Sequence, residues 1–539
     1  MNIEKPFYEI TGGFKPRKYQ LEAIRKFIKT LNEGKVLFIK LPTGYGKTEA
    51  AIIPYLMQIY YDEWFIAPGL IYILPIRSLA YFQYLRIVDY ANNLRKVLDR
   101  EINLNIIIEH GEIKEKPFLF GDIVLTTLDT FLYCYTRASS YEHGHVDFPV
   151  GNIATSMIIF DETHMYQDEY GYMISILNFI LKVFSKALIP TIVMSATMPK
   201  IIEEKLFDGV NYDRVEYIHD EDYERGNERK IFLELREKYD LQSFIKEKRA
   251  ALISNTVNNA IDLFLKVKDN VDDLEIIHSR LTTKARRDRE HKLKIKRING
   301  KLHFIATQVI ESGIDVSVDL MISDIAPPDS LIQRLGRLAR FGGKGVAQIV
   351  KVKKPYPYVE KLLEATWHVL KNKDYDVASF TEQQKFIDEV FTEADYEALL
   401  KSLDKNLRRS IEYLKNMHLL VYEQPEFRAR PTSYITVVIL EKREYLNLIS
   451  KVRSNEEPLI DVGENYFNLD LKNILHSGGQ VKDFLLHSGD ILELKPCNGK
   501  FKVIKCSKIK PYGMYILNPN SYLKTSLNNM EYDVGLKIP

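Results

Sequence analysis

The residues able to do chemistry begin at Leu41-Pro42-Thr43-Gly44-Tyr45-Gly46-Lys47-Thr48. Two glycines let backbone N–H groups curl round phosphate oxygens with no Cβ in the way. A helix starting just beyond adds partial positive charge. Lys47 then reaches the β and γ phosphates of a nucleotide, and the Thr48 hydroxyl ligates Mg²⁺. The expected ATP contacts here are Thr43, Gly44, Tyr45, Gly46, Lys47 and Thr48. A general phosphate loop has glycine where this chain has Leu41. The second set is Asp161-Glu162-Thr163-His164, after the apolar run Met157-Ile158-Ile159-Phe160. Asp161 would hold Mg²⁺, often through water, and Glu162 would position and polarise the attacking water. His164 is placed to sense the γ-phosphate. Ser195 and Thr197, after another apolar run, suit an element that links hydrolysis to domain movement. The third set runs from Gln333 through Arg334 and Arg337 to Arg340. Its arginines, three apart, are predicted broadly on one helical face. Arg337 and Arg340 would point at the γ-phosphate, where one arginine is worth on the order of 10³–10⁵ in rate. A plain basic helix is the alternative, and the embedded Gly336 argues against it.

Each set needs a strand that ends beside it. Val36-Leu37-Phe38-Ile39, Leu70-Ile71-Tyr72-Ile73-Leu74, Ile106-Ile107-Ile108, Ile123-Val124-Leu125, 157–160 and Thr191-Ile192-Val193-Met194 read as buried parallel strands. Arg77 follows the second, and Thr126-Thr127 the fourth. A second α/β unit starts near Ala250, with strands at 251–253, 274–277, 303–305 and 320–322. At their ends sit Asn255-Thr256, His278-Ser279-Arg280, Thr307-Gln308 and Ser323-Asp324. Residues 198–248 read as a charged, exposed linker that includes His219-Asp220. The run 284–297 is strongly basic and reads equally as a solvated helix or a backbone-binding face. His143 and His145 lie in a polar loop, where solvation outweighs metal binding.

The chain has 539 residues, 45% hydrophobic and 27% charged, with a net charge of +2 and a pI near 8.0. That is long enough for several domains, and it carries no domain-wide basic field. Any nucleic acid would therefore lie in a local groove. No apolar run reaches the ~18 residues that span a membrane. Three cysteines (Cys134, Cys497, Cys506) cannot build a disulfide framework, so a reducing cytoplasm fits best. Tyr356, Tyr358, Trp367 and Phe380 are expected to pack rather than to stack on bases.

The form Pro-Thr-Gly-x-Gly-Lys-Thr and the ordered sets above resemble superfamily-two helicases. Asn255-Thr256-Val257 with Ala260, His278-Ser279-Arg280, 306–311 and the stretch 325–340 resemble more narrowly the CRISPR-associated helicase-nuclease family of type I systems. The resemblance covers roughly 14–350 and departs at Gly313-Ile314-Asp315, where much of the family has Ser-Leu-Asp. It implies two tandem RecA-like parallel-sheet domains, 1–213 and 214–354, and a C-terminal accessory region, 355–539. It implies an ATP- and Mg²⁺-dependent motor moving 3′ to 5′ on single-stranded DNA, opened for it by an RNA-guided effector complex. By position, Arg17 and Gln20 would belong to an adenine-reading element, since a Gln amide matches both edges of that base. Gly313 and Asp315 would touch nucleotide. Arg77, Thr127, Asn255, Thr256, Arg280, Thr307 and Gln308 would line the strand path. The residues before Lys47 are too few for the family's histidine-aspartate nuclease, so a separate nuclease subunit is the expected partner. An RNA or repair helicase with the same engine, or an ATP-switched scaffold that recruits a nuclease, remain open alternatives.

Overall fold

Short apolar runs separated by helices can bury themselves only as a parallel sheet covered on both faces. The structure, a computed structural model, bears this out. It describes residues 2–99, 102–110, 118–137, 147–166, 171–226, 228–296, 300–311, 314–396, 405–417, 434–454, 456–470, 484–487, 490–497, 499–527 and 530–538. The chain divides into two units, 1–227 with 373–431 and 228–372 with 432–539.

In the first unit the strands are β1 (Val36–Lys40), β2 (Gly69–Leu74), β3 (Ile106–Glu109), β4 (Ile123–Thr127), β5 (Ser156–Phe160), β6 (Thr191–Ser195) and β7 (Tyr212–Glu216). They lie in the order β3-β4-β2-β5-β6-β1-β7, all parallel. Every residue of β1, β4, β5 and β6 is buried. Parallel pairing places all the strand C-termini on one edge, where open α/β sheets bind ligands. The phosphate loop, Arg77, Thr127, Asp161-Glu162 and Ser195 all follow from that edge. The expected domain boundary at 213/214 falls inside β7, which pairs with β1 through Glu216.

The second unit holds β8 (Arg229–Arg236), β9 (Arg249–Ile253), β10 (Leu274–Ile277), β11 (Leu302–Ala306), β12 (Leu320–Asp324) and β13 (Gly343–Val350). Their order is β10-β11-β9-β12-β13-β8, again parallel. The four expected strands are present, and β8 and β13 join them. β8 is an edge strand whose short apolar run, Ile231-Phe232-Leu233, is flanked by charged residues and at most part-buried, so it resembles a linker in sequence. The basic run forms the helix Thr283–Ile295, in which Arg289 is buried and donates to the Ile276 carbonyl at 2.8 Å.

The stretch 355–539, expected as one accessory region, is shared between the units. Its helices Phe380–Glu393 and Lys405–Asn416 pack on the first. Gln384 Nε2 donates to the Met198 carbonyl at 3.0 Å, Lys200 N donates to Asp388 Oδ1 at 2.8 Å, and the Tyr172 and Ser410 hydroxyls lie 2.7 Å apart. Among the described residues, seven strands from Tyr434–Val438 to Met514–Ile516 form one sheet in the second unit. A hairpin of Tyr522–Leu527 and Met530–Leu536 buries Val534 in the same core as Ile276 and Phe264.

Candidate functional site

In the first unit, β1 runs into a turn closed by Tyr45 N on the Pro42 carbonyl at 3.2 Å, and the helix Lys47–Tyr61 begins at once. Gly44 and Gly46 have φ of +85° and +96°, a backbone that side chains rarely adopt. Gly46 is required twice, because a Cβ there would lie 2.2 Å from Gln20 Nε2.

Arg17 and Gln20 brace this loop. Arg17 Nη1 donates to the Gly44 and Tyr45 carbonyls at 2.9 and 2.8 Å. Its guanidinium lies 5.3 and 5.2 Å from the ring centroids of Tyr45 and Tyr223. Gln20 Oε1 accepts from Arg17 N at 2.8 Å, and its Nε2 donates to the Gly46 carbonyl at 2.9 Å. The segment read as an exposed linker closes over the same loop: the Tyr45 hydroxyl donates to Asp220, and the Tyr223 hydroxyl donates to the Thr43 carbonyl at 2.9 Å. His219 faces Glu224 at 3.0 Å. Among the described residues no three His, Cys, Asp or Glu side chains converge as a metal cluster. His143, His145 and Gly313 lie outside the described residues.

Lys47 and Thr48 open the helix, both buried. Lys47 Nζ donates to the Leu41 carbonyl at 3.2 Å and lies 4.0 Å from Glu162 Oε1. Thr48 Oγ1 accepts from Gln83 Nε2 at 3.2 Å. Asp161 leaves β5 with both oxygens engaged: Oδ2 accepts from the Tyr72 hydroxyl and Oδ1 from Glu162 N, each at 2.8 Å. Burial, and then the charge of Glu162, push the Asp161 carboxyl up to about 7. Glu162 has φ of +47°, a strained conformation for a residue with a side chain. Its Oε2 is buried without a hydrogen bond, 3.4 Å from His164 Nδ1. The same His164 nitrogen lies 3.1 Å from Ser195 Oγ, and burial pushes the imidazole below its usual range. Thr197 is buried on the turn after β6. The structure thus brings Lys47, Glu162, His164 and Ser195 into one chain of contacts, with Asp161 next to Glu162. Thr127, also buried, faces Thr130 at 3.1 Å, and half-buried Arg77 opens the helix Arg77–Leu98.

In the second unit the helix carrying Gln333 and Arg334 spans Pro328–Leu335 and stops there. The expected arginine face is therefore broken after Arg334. The backbone of 337–339 pairs instead with Val318: Val318 N donates to the Arg337 carbonyl at 3.0 Å, and Ala339 N donates to the Val318 carbonyl at 2.9 Å. Arg337 is buried and donates to the carbonyls of Ile310 and Glu311 at 3.1 and 3.0 Å. Arg340 Nε lies 3.0 Å from Asp315 Oδ1.

Sequence reasoning gave Arg334 no role of its own, yet it is fully buried and spends every donor. It bonds Glu311 Oε1 at 2.8 Å, Ser323 Oγ and the Asp324 carbonyl at 3.0 and 3.1 Å, Asn255 Oδ1 at 3.1 Å and the Tyr358 hydroxyl at 3.0 Å. Asn255 is thereby committed, its Nδ2 donating to the Ile325 carbonyl at 2.8 Å. Thr256 caps the helix Val257–Val267 by accepting from Asn259 N. Gln308 Nε2 donates to the Asn255 carbonyl at 2.8 Å, and Thr307 is buried. Arg280 stands apart from this network, half-buried, donating to Asn258 Oδ1 at 2.8 Å. The Gly336 that breaks the arginine helix was the available signal for the turn; nothing local in sequence marks Tyr72, Gln83 or Asp220.

Residues 17–205 match the DEAD/DEAH box helicase family model. Residues 246–343 match the model described as CRISPR-associated nuclease/helicase Cas3, C-terminal. The chain is 30% identical over 436 residues to a CRISPR-associated helicase Cas3 of Thermoproteus tenax, covering 76% of this chain and 73% of that one. It is 25% identical over 402 residues to a CRISPR-associated nuclease/helicase Cas3 of Streptococcus thermophilus, of which it spans 42%. A crystal structure of T. fusca Cas3-ATP shares the fold, with a TM-score of 0.60 at 20% identity over 80% of this chain and 60% of that one.

The Arg334 network carries a prediction independent of any activity. Glu311→Gln leaves a fully buried guanidinium without its counter-charge, which costs about 3–5 kcal/mol. Thermal melting should show a clearly lowered transition. An unchanged melt would show that the pair holds nothing.

Proposed function

The chain belongs to the CRISPR-associated Cas3 helicase family, and from that premise we propose that it is an ATP-driven motor that moves 3′ to 5′ on single-stranded DNA and unwinds target DNA for a separate nuclease subunit. The observation that carries the reading is the junction of Lys47, Asp161 and Glu162, with strained backbone at Glu162 and a buried Glu162 oxygen that makes no hydrogen bond.

The donor set fits Mg²⁺, a hard cation that takes oxygen ligands. The Thr48 hydroxyl and the Asp161 carboxylate would hold it, and it would neutralise charge on the phosphate oxygens. Loop N–H groups and Lys47 hold the triphosphate. Glu162 orients water against the γ-phosphorus and accepts its proton. His164, neutral and touching both Glu162 and Ser195, reports the state of the site to the turn after β6. Arg340 would answer phosphate charge by exchanging Asp315 for phosphate, and Arg337 by giving up its bonds to the Ile310 and Glu311 carbonyls. Because Gln20 spends one donor on the Gly46 carbonyl of the loop and one acceptor on Arg17 N, it positions the loop as much as it reads the base. DNA is held through phosphates and stacking, with slight sequence preference.

The deciding experiment is steady-state ATPase with Mg²⁺, alone and with single-stranded DNA or RNA. DNA should stimulate turnover, and Lys47→Ala should lower it by at least about 10²-fold. Stimulation by RNA alone would discard the DNA assignment, and stimulation by neither would discard the motor. Gln20→Ala removes one hydrogen bond from the loop, on the Gly46 carbonyl, and a second from Arg17 N. It should raise KM for ATP by about tenfold with kcat little changed; an unchanged KM would show that the brace is idle.

A further inference from the structure

Among the described residues Arg280 makes no ion pair with any carboxylate. Its Nη1 is spoken for, donating to Asn258 Oδ1 at 2.8 Å and, at 3.4 Å, to the Leu536 carbonyl. Its Nε and Nη2 carry no hydrogen bond to a described residue. Asn258 lies in the first turn of the eleven-residue helix Val257–Val267. A guanidinium held against the positive end of a helix is unfavourable by itself. The arrangement makes sense when an anion shares the two free donors, since a guanidinium fork matches a phosphate.

The surroundings fix that fork in place. The Asn258 amide pairs with Ile538 on both sides: Nδ2 donates to the Ile538 carbonyl, and Oδ1 accepts from Ile538 N at 3.1 Å. The amide cannot turn over without losing both bonds, so Oδ1 stays aimed at Arg280. Leu536 N donates to the Arg280 carbonyl at 3.3 Å. His278 bridges the same two segments, with Nε2 donating to the Val534 carbonyl at 2.8 Å and Nδ1 accepting from Arg280 N at 3.2 Å. Burial holds that imidazole far below its usual range, down to about 3, so it stays neutral and keeps both roles. Gly535 lets the segment come this close: φ is +107°, and a Cβ would lie 2.4 Å from His278 Cε1.

We propose that Asn258 and the segment Val534–Ile538 are a positioning device for Arg280, holding its free donors ready for a phosphate of single-stranded nucleic acid. The proposal rests on the motor reading and adds residues that touch no ligand themselves. A free arginine loses substantial rotamer freedom when it grips a ligand, and a pinned one has already lost it.

The test is anisotropy titration of labelled oligothymidylate over a series of salt concentrations, with thermal melting of each variant. Arg280→Ala should weaken binding by about tenfold and shallow the log Kd against log salt slope by about 0.7, the value for one phosphate contact on a single strand. Asn258→Ala keeps the charge of Arg280 yet should reproduce both changes, and the double variant should be no weaker than Arg280→Ala alone. Gly535→Ala, which pushes the segment away without touching either side chain, should act in the same direction. If Asn258→Ala and Gly535→Ala melt as the unsubstituted chain does and bind as it does, while Arg280→Ala does not, the device is overturned and the motor reading stands. An unsubstituted chain that binds no oligonucleotide overturns both.

Discussion

One ammonium and two carboxylates share a buried corner where β1 and β5 end, and the first unit is built to tolerate that. Lys47 has Glu162 at 4.0 Å, and Asp161 is buried beside it. Two negative charges against one positive, out of water, are costly unless something further is bound. The carboxyl of Asp161 is pushed up for this reason. A divalent cation would bring the positive charge that this corner lacks. Strain at Glu162 is part of the same arrangement, because a left-handed residue there aims the carboxylate back toward Lys47.

That corner exists only because the strands are parallel. β1, β2, β4, β5 and β6 deliver their ends to one edge, so short loops from distant parts of the sequence meet without long excursions. The second unit repeats the solution with different chemistry. There the edge is locked by Arg334, whose five donors tie together β12, the turn before the helix Val257–Val267, and Glu311. Its neighbours are also committed in this structure, Arg337 to the carbonyls of Ile310 and Glu311 and Arg340 to Asp315.

The sequence was most legible where strand and loop coincide in a few adjacent residues. Buried runs with Gly-Tyr-Gly-Lys-Thr or Asp-Glu at their ends announced the first sheet, and the fold class followed. Three things were hidden. β8 is an edge strand whose charged residues look like a linker, since one face and one side meet solvent. The stretch 355–539 carries no motif that says which unit it joins: 373–431 goes with the first, and 355–372 and 432–539 with the second. The clamps around the sites (Tyr72 on Asp161, Asp220 on Tyr45, Val534–Ile538 on the 278–280 turn) connect residues far apart in sequence, which local pattern does not reveal. The arginine stripe failed for a physical reason as well, since pairing with Val318 draws the backbone out of the helix after Leu335.

The most direct measurement is single-turnover hydrolysis of ATP by Glu162→Gln, beside equilibrium ATP binding. Glutamine keeps the shape and cannot accept the proton of water. Binding should persist while the chemical step falls by about 10²–10⁴-fold. Hydrolysis at the unsubstituted rate would contradict the account, because the carboxylate around which the site is arranged would then have no part in the reaction.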